Sequence, residues 1–285
     1  MSAATSPHPL LRRAHGVPNW VDLHTARPDR AAEFYESILG WALRRPPLTA
    51  VPEPPMPPAD GSDQARRSAV AMVDGEGVAE IVGRGRCADS VHLLSSWFPY
   101  IEVKDVDATL ELVEPAGGLI LGSAATREDG ARVATILDQA DAVLRLWEPV
   151  EPIGRPGPGR TGSLAWIELE TSDLDGATKF YGELFGWDAG EVDDPGSNDP
   201  YLVFTCAGDP VAGAVRSPLT ELPASWCTAF VVADTDAATL AAIDAGGVVM
   251  TEPMETARGR QSVVVDPTGA VFGLLGPATV GPRPL

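Results

Sequence analysis

Four short segments carry aromatic or ionisable side chains at alternate positions: Trp20–His24, Phe98–Glu102, Val143–Trp147 and Trp166–Glu170. Alternate residues of a strand share a face. Trp20, Asp22 and His24 therefore stand together, as do Phe98, Tyr100 and Glu102, Arg145 and Trp147, and Trp166, Glu168 and Glu170. The intervening Val21, Leu23, Ile101, Leu144 and Leu146 are apolar, as is Val103 next to Glu102, which suits strands with one face on a core. Aromatic walls with few polar groups stack on planar organic ligands. A histidine titrating at about 6.5 beside carboxylates moves protons, which makes His24, Asp22 and Glu102 the catalytic set if the protein is an enzyme. A structural account stands beside both: Asp22, Glu102 and Arg145 neutralise one another, His24 is a plain strand histidine, and Trp20 and Trp166 pack helix to sheet.

The elements that position these residues repeat. Asn19–Trp41 and Ala165–Trp187 align without a gap and share Trp20/Trp166, Leu23/Leu169, Phe34/Phe180, Tyr35/Tyr181, Gly40/Gly186 and Trp41/Trp187. Such agreement marks a duplicated structural unit. In each copy the hydrophobic period changes from two to about 3.6, so a strand leads into a helix. Pro28 and Leu174 suit the first helical position, Asp173 an N-cap, and Gly40 and Gly186 the C-terminal stop. The repeated Phe-Tyr pairs read as helix core.

A weaker echo of the unit follows in each half. Strands are expected at 97–103, 119–121, 131–137 and 142–147 with a helix at 106–114. Their counterparts are strands at 226–233, 248–251, 261–265 and 270–275 with a helix at 235–245. A hairpin of strands 69–73 and 78–82 is expected around Asp74-Gly75-Glu76-Gly77. The Pro-rich run at about 46–68 is an insertion, because Trp20 to Trp97 spans 77 positions where Trp166 to Trp226 spans 60. The domain reading is a leader at 1–16, a first domain at 17–150, a linker at 151–162, a second domain at 163–277 and a tail at 278–285.

Twenty-one basic against forty acidic residues give a net charge of −19, with only Lys104 and Lys179 as lysines. That charge excludes a nucleic-acid footprint and disfavours anionic membranes, while it attracts cationic ligands. Cys87, Cys206 and Cys227 are odd in number and lack CxxC spacing, so neither a disulfide framework nor a thiolate zinc site is expected. The N-terminus has no apolar signal core and no stretch could span a bilayer, so a cytoplasmic protein is expected.

Strand, helix ending in Phe-Tyr and Gly-Trp, hairpin, second strand, Gly-Gly, and the closing Asp266-Pro267-Thr268-Gly269 strand together resemble the vicinal oxygen chelate superfamily, which includes glyoxalase I, bleomycin-resistance proteins and extradiol dioxygenases. The resemblance implies an α+β fold of four βαβββ modules, paired into two glyoxalase-like domains whose curved mixed sheets wrap a cavity. It also implies where metal ligands would stand in metal-using members. Those positions fall on Trp20, Phe98 and Arg145 in the first half and on Trp166, Cys227 and Gly273 in the second, which implies no metal and no other cofactor. Glu80 is the one carboxylate in a suitable strand, and its counterpart is Gly213.

The expected ligand-binding set is Trp20, Asp22, His24, Phe98, Tyr100, Glu102, Arg145, Trp147, Trp166 and Glu168, with the second cavity smaller and less polar than the first. The expected partner is a small, flat aromatic molecule, with a cationic natural product favoured by the acidic chain. Monomer and homodimer both stay open. Three functions follow in order: a metal-independent binding protein of antibiotic resistance or biosynthesis, a metal-free isomerase, cyclase or hydroxylation-assisting enzyme using His24 with Asp22 or Glu102, and a metal-dependent lyase or dioxygenase.

Overall fold

The computed structural model describes residues 15–45, 68–83, 95–127, 129–150, 159–194, 201–217 and 221–279. Most of the leader, the Pro-rich insertion, most of the linker, the end of the tail and Cys87 lie outside the described residues.

The first half runs β1 (Val17–Thr25), α1 (Pro28–Leu39), β2 (Ala42–Arg44), β3 (Ala69–Val73) and β4 (Glu76–Gly83). It continues with β5 (Ser96–Glu102), α2 (Val106–Val113), β6 (Leu119–Ile120), β7 (Ala125–Thr126), β8 (Arg132–Leu137) and β9 (Val143–Glu148). The second half runs β10 (Leu164–Thr171), α3 (Leu174–Phe185), β11 (Asp188–Val192), β12 (Tyr201–Cys206) and β13 (Asp209–Arg216). It closes with β14 (Ser225–Val231), α4 (Thr235–Asp244), β15 (Val248–Thr256), β16 (Gly259–Val265) and β17 (Val271–Gly276).

Each half is one mixed sheet. The strand order is β2-β3-β4-β1-β5-β9-β8-β6 in the first, with β7 also on β8, and β11-β12-β13-β10-β14-β17-β16-β15 in the second. Because β1 pairs antiparallel with β5, and β10 with β14, the modules join in chain order. The helix signals act where the sequence puts them. Pro28 opens α1, Asp173 caps α3 by accepting the Gly176 N–H at 2.9 Å, and Gly40 and Gly186 end their helices in the left-handed region.

Three elements differ from the pattern reading. The β3–β4 hairpin turns on Asp74-Gly75 alone, both at positive φ, a two-residue turn whose twist matches the flanking strands better than the four-residue loop expected. Strand β7 is too short to show a period. Strand β15 runs on to Thr256 through Pro253, which an edge strand tolerates because its outer N–H groups carry no ladder bond; the register slips between Thr251 and Met254.

The helices lie between the two sheets and cross-link the halves. Val21, Leu23, Phe34 and Tyr35 share a core with Phe230, Phe272 and Leu274 of the second half. Ile101, Leu144 and Leu146 share another with Phe180, Tyr181 and Phe204. Thus the intervening apolar positions face the helices as the alternation requires.

Polar braces cross the same boundary in pairs. Tyr35 donates to Asp266 Oδ2 at 3.0 Å, and Tyr181 donates to Asp138 Oδ2 at 2.8 Å. Both carboxylates also organise their own turns, Asp266 accepting from the Thr268 and Ala270 N–H groups and Asp138 from those of Ala140 and Ala142. Trp41 Nε1 donates to the Gly162 carbonyl, and Trp187 Nε1 to the Gly16 carbonyl, each at 2.7 Å. Gly162 sits at φ +84, and a Cβ there would lie 2.6 Å from the Leu39 carbonyl oxygen, so only glycine permits that approach. Among the described residues no helix is long and apolar enough to cross a membrane.

Tyr35 also accepts from Trp97 Nε1 at 2.9 Å, so its hydroxyl joins three elements in a fully buried setting. Tyr35→Phe strands a donor and a carboxylate oxygen at once, and urea unfolding is expected to show a loss of about 2–3 kcal/mol.

Candidate functional site

The helix-free face of the first sheet is built around Asp22, in mid-β1 and 1% exposed. An ionised carboxylate there needs partners, and three neighbouring strand positions supply them. Its Oδ1 accepts from Trp20 Nε1 at 2.7 Å. Its Oδ2 accepts from the Tyr100 hydroxyl and, at 3.2 Å, from Arg145 Nη1. Arg145 Nη1 also donates to the Tyr100 hydroxyl at 2.5 Å. The register explains the convergence, because Trp20 is opposite Tyr100 and Tyr100 is opposite Arg145. Burial, then the Asp22 charge, drives the Tyr100 hydroxyl far above the usual phenol pKa, so it acts as a donor and not as a base.

Aromatic surface surrounds this knot. The Arg145 guanidinium lies 5.2 Å from the Phe98 ring centre and 5.3 Å from that of Tyr100. Trp20 and Trp147 pack with Tyr100 and Ala131, so Trp20 serves this face and does not hold helix to sheet. His24 meets the Phe98 ring edge-on at 5.2 Å, and its Nε2 is 4.0 Å from Asp22 Oδ2, beyond a hydrogen bond.

Glu102 is the member that the structure sets apart. It stands opposite Val17, whereas His24 stands opposite Ser96, roughly 20 Å away along β1. Its carboxylate accepts from Asn19 Nδ2 at 2.7 Å.

Arg127 enters from the turn between β7 and β8, where sequence reasoning offered no signal. Its Nη2 donates to Glu80 Oε2 at 3.3 Å. Glu80 is on β4, opposite Asp22 in the parallel register. Four strand spacings separate β8 from β4, about 19 Å in a flat sheet. An arginine cannot span that, so the sheet curls into a cup and the turn closes over it. Burial, and next the Asp22 charge, raise the Glu80 carboxyl above its ordinary pKa, while Arg127 opposes the shift.

The second half repeats this layout with different residues. Trp166 Nε1 donates to the Tyr201 hydroxyl at 2.9 Å, and that hydroxyl donates to Glu168 Oε2 at 2.8 Å. Arg258, on the turn between β15 and β16, pairs with Glu168 at 2.8 Å, donates to Gln261 Oε1 at 2.6 Å and also donates to the Tyr201 hydroxyl. Five strand spacings lie between β16 and β12, so this sheet curls as well. A Cβ on Gly213 would fall 1.8 Å from the Tyr201 hydroxyl oxygen; the glycine opposite Glu168 is the space that Tyr201 fills. The expectation of a less polar second cup is therefore corrected. Cys227, Ala229 and Gly273 are small as read, but Tyr201, Arg258 and Gln261 arrive from strands and a turn that periodicity did not connect to it. Burial pushes the Cys227 thiol up to about 12.

Trp166 also borders a groove of about 700 Å³ between the halves, with an apolar lining that includes Pro18, Val78, Leu164, Val211 and Leu275.

Among the described residues, the first cup does not suit a divalent cation. Asp22 and Glu80 are already paired with guanidinium groups, and the Trp20 indole, the Phe98 ring and the Arg145 cation beside them offer no lone pair to a metal ion. Among the described residues, no group of three or more His, Cys, Asp or Glu side chains could hold a metal ion.

Sequence profiles match both halves: the Glyoxalase/Bleomycin resistance protein/Dioxygenase superfamily over residues 17–145 and a glyoxalase-like domain over 166–275. The chain is 33% identical over 264 residues to CFP32 of Mycobacterium tuberculosis, provisionally named a glyoxylase, covering 92% of this chain and 95% of that one. It is 29% identical over 277 residues to the anthracycline biosynthesis protein DnrV of Streptomyces peucetius, covering 93% and 95%. Among solved structures, the Mn(II)-bound glyoxalase of Novosphingobium aromaticivorans superposes with a TM-score of 0.59 at 16% identity, covering 92% of this chain and 82% of that one. The 2,2',3-trihydroxybiphenyl 1,2-dioxygenase of Sphingomonas wittichii gives 0.60 at 14%, covering 92% and 90%. At such identities these two speak for the fold alone.

Because the folded chain holds the Glu80 proton more tightly than the unfolded chain, Glu80 favours folding at low pH. That contribution is lost as pH rises from the ordinary value of 4.5 through the folded one. Glu80→Gln mimics the protonated form, so its stability relative to wild type is expected to increase with pH above that value, as read by urea unfolding across the range.

Proposed function

The chain belongs to the Glyoxalase/Bleomycin resistance protein/Dioxygenase superfamily, and from that premise we propose that it is a metal-independent binding protein for a flat aromatic molecule. The observation that carries this reading is the knot in which Asp22 and Tyr100 tie the Trp20 indole to the Arg145 guanidinium, with the Phe98 ring against Arg145, at the positions where the resemblance implies metal ligands in metal-using members. Trp20, Phe98 and Trp147 offer stacking surface, and His24 and Arg145 offer a few polar contacts, the usual make-up of a small-molecule site. Similarity to a protein named for anthracycline biosynthesis favours a polycyclic aromatic natural product.

The cup itself is charge-balanced, with Asp22 beside Arg145 and Glu80 beside Arg127. A cationic group on the ligand is then drawn by the net charge of −19 at longer range and not by an open carboxylate in the cup.

A second reading, proton transfer on such a molecule, is favoured by the placement of His24 within 4.0 Å of Asp22. Glu102 has no part in it at its present distance. His24→Ala separates the two readings: binding retained with turnover lost assigns an enzyme, whereas binding retained and no turnover in wild type assigns a carrier.

Calorimetric titration of chelator-treated protein with an anthracycline tests the main reading. Binding is expected to survive metal removal and to weaken at least tenfold in Trp20→Ala. Binding that needs added metal, or that ignores Trp20, would overturn it.

A further inference from the structure

Arg258 occupies a receptor for a planar cation. Its guanidinium carbon lies 5.1 Å from the Trp166 ring centre and 4.9 Å from that of Tyr201, with the Glu168 carboxylate at 2.8 Å and the Gln261 amide oxygen at 2.6 Å. Two aromatic faces, one carboxylate and one amide oxygen are the complement of a flat positive ion. The side chain is only 6% exposed.

The two halves attach their arginines differently. Arg145 is in mid-strand, fixed by pairing with Tyr100 and Thr135 on either side. Arg258 stands on the two-residue turn Ala257-Arg258 that joins β15 to β16 at the sheet edge. The turn is anchored by the Ala257 N–H donating to Asp194 Oδ1 at 3.0 Å. A turn of this kind moves at far lower cost than a central strand. In one respect the two are alike: among the described residues the buried Nε of Arg258, like that of Arg145, has no hydrogen-bond partner, so the fit of Arg258 is incomplete.

We propose that the second cup is a binding site for planar cations of the amidinium or guanidinium class, including aromatic ones, and that Arg258 is its resident occupant. On binding, the β15–β16 turn swings out, Arg258 passes to water, and the ligand takes its place between Trp166 and Tyr201. One cation replaces another, so Glu168 stays neutralised. The exchange removes a buried unsatisfied donor and returns a long side chain to solvent. No covalent step is involved, and the site is independent of the first cup.

Benzamidinium, a planar aromatic amidinium, is the probe, with neutral benzamide as control. Calorimetry is run on wild type, Arg258→Ala, Arg258→Ala with Glu168→Gln, and Arg258→Ala with Trp20→Ala. Removing the occupant is expected to tighten benzamidinium binding at least tenfold over wild type, and benzamide is expected to show no such gain. Glu168→Gln should cost at least tenfold, whereas Trp20→Ala should leave the affinity unchanged, which places the event in the second cup whatever the first one binds. No gain on removing Arg258, an equal gain for benzamide, or indifference to Glu168→Gln would overturn the proposal. Should Arg258→Ala fail to unfold cooperatively, Arg258→Gln, which removes the cation and ends short of the Nη atoms that reach Glu168 and Tyr201, is held to the same outcomes.

Discussion

A carboxylate in the middle of a buried strand face must be neutralised where it stands. Asp22, fully buried in the first sheet, sets this demand in full and the half-buried Glu168 of the second sets it in part, since an uncompensated buried charge takes a large share of a domain's margin of stability. Each is met by an indole N–H or a tyrosine hydroxyl from nearby strands, together with an arginine. The second arginine of the first cup and the one in the second cup come from the far hairpin turn, and only a curled sheet brings that turn within reach. Charge balance and sheet curvature are thus two aspects of one arrangement.

The curled sheets are held back to back by the residues that the two halves share. Phe34/Phe180 and Tyr35/Tyr181 fill the cores between helix and opposing half, and the tyrosine hydroxyls end on turn aspartates of that half. The indoles of Trp41 and Trp187 reach the backbone just ahead of β10 and β1. These braces recur in both halves, each half supplying the tyrosine and indole of one set and the acceptors of the other. The cup residues carry no such mutual constraint. Glu80 in one half answers to Gly213 with Tyr201 in the other, and Arg145 to Gly273, so the same scaffold presents two different polar sets.

That division bears on function. A scaffold fixed by inter-half contacts leaves the inner faces free to change chemistry, and here they combine aromatic walls with paired charges. Membership of the superfamily therefore specifies the scaffold, while the indoles and guanidiniums give each cup its own chemistry, on which the proposed ligand class rests.

The sequence by itself determined the fold class, the duplication, the helix ends at Pro28, Asp173, Gly40 and Gly186, and which strand residues face the helices. Each of these is local: a period, a cap or a repeated string acts within a few residues of where it is read. It also grouped Trp20, Asp22, Tyr100 and Arg145, because alternation fixes a strand's faces and the paired module brings those strands together. Tertiary structure alone decided the rest. Arg127, Tyr201 and Arg258 enter the cups by curvature, a property of the whole sheet that no window of residues displays, and Glu102 leaves the set because register, not facing direction, governs distance along a strand.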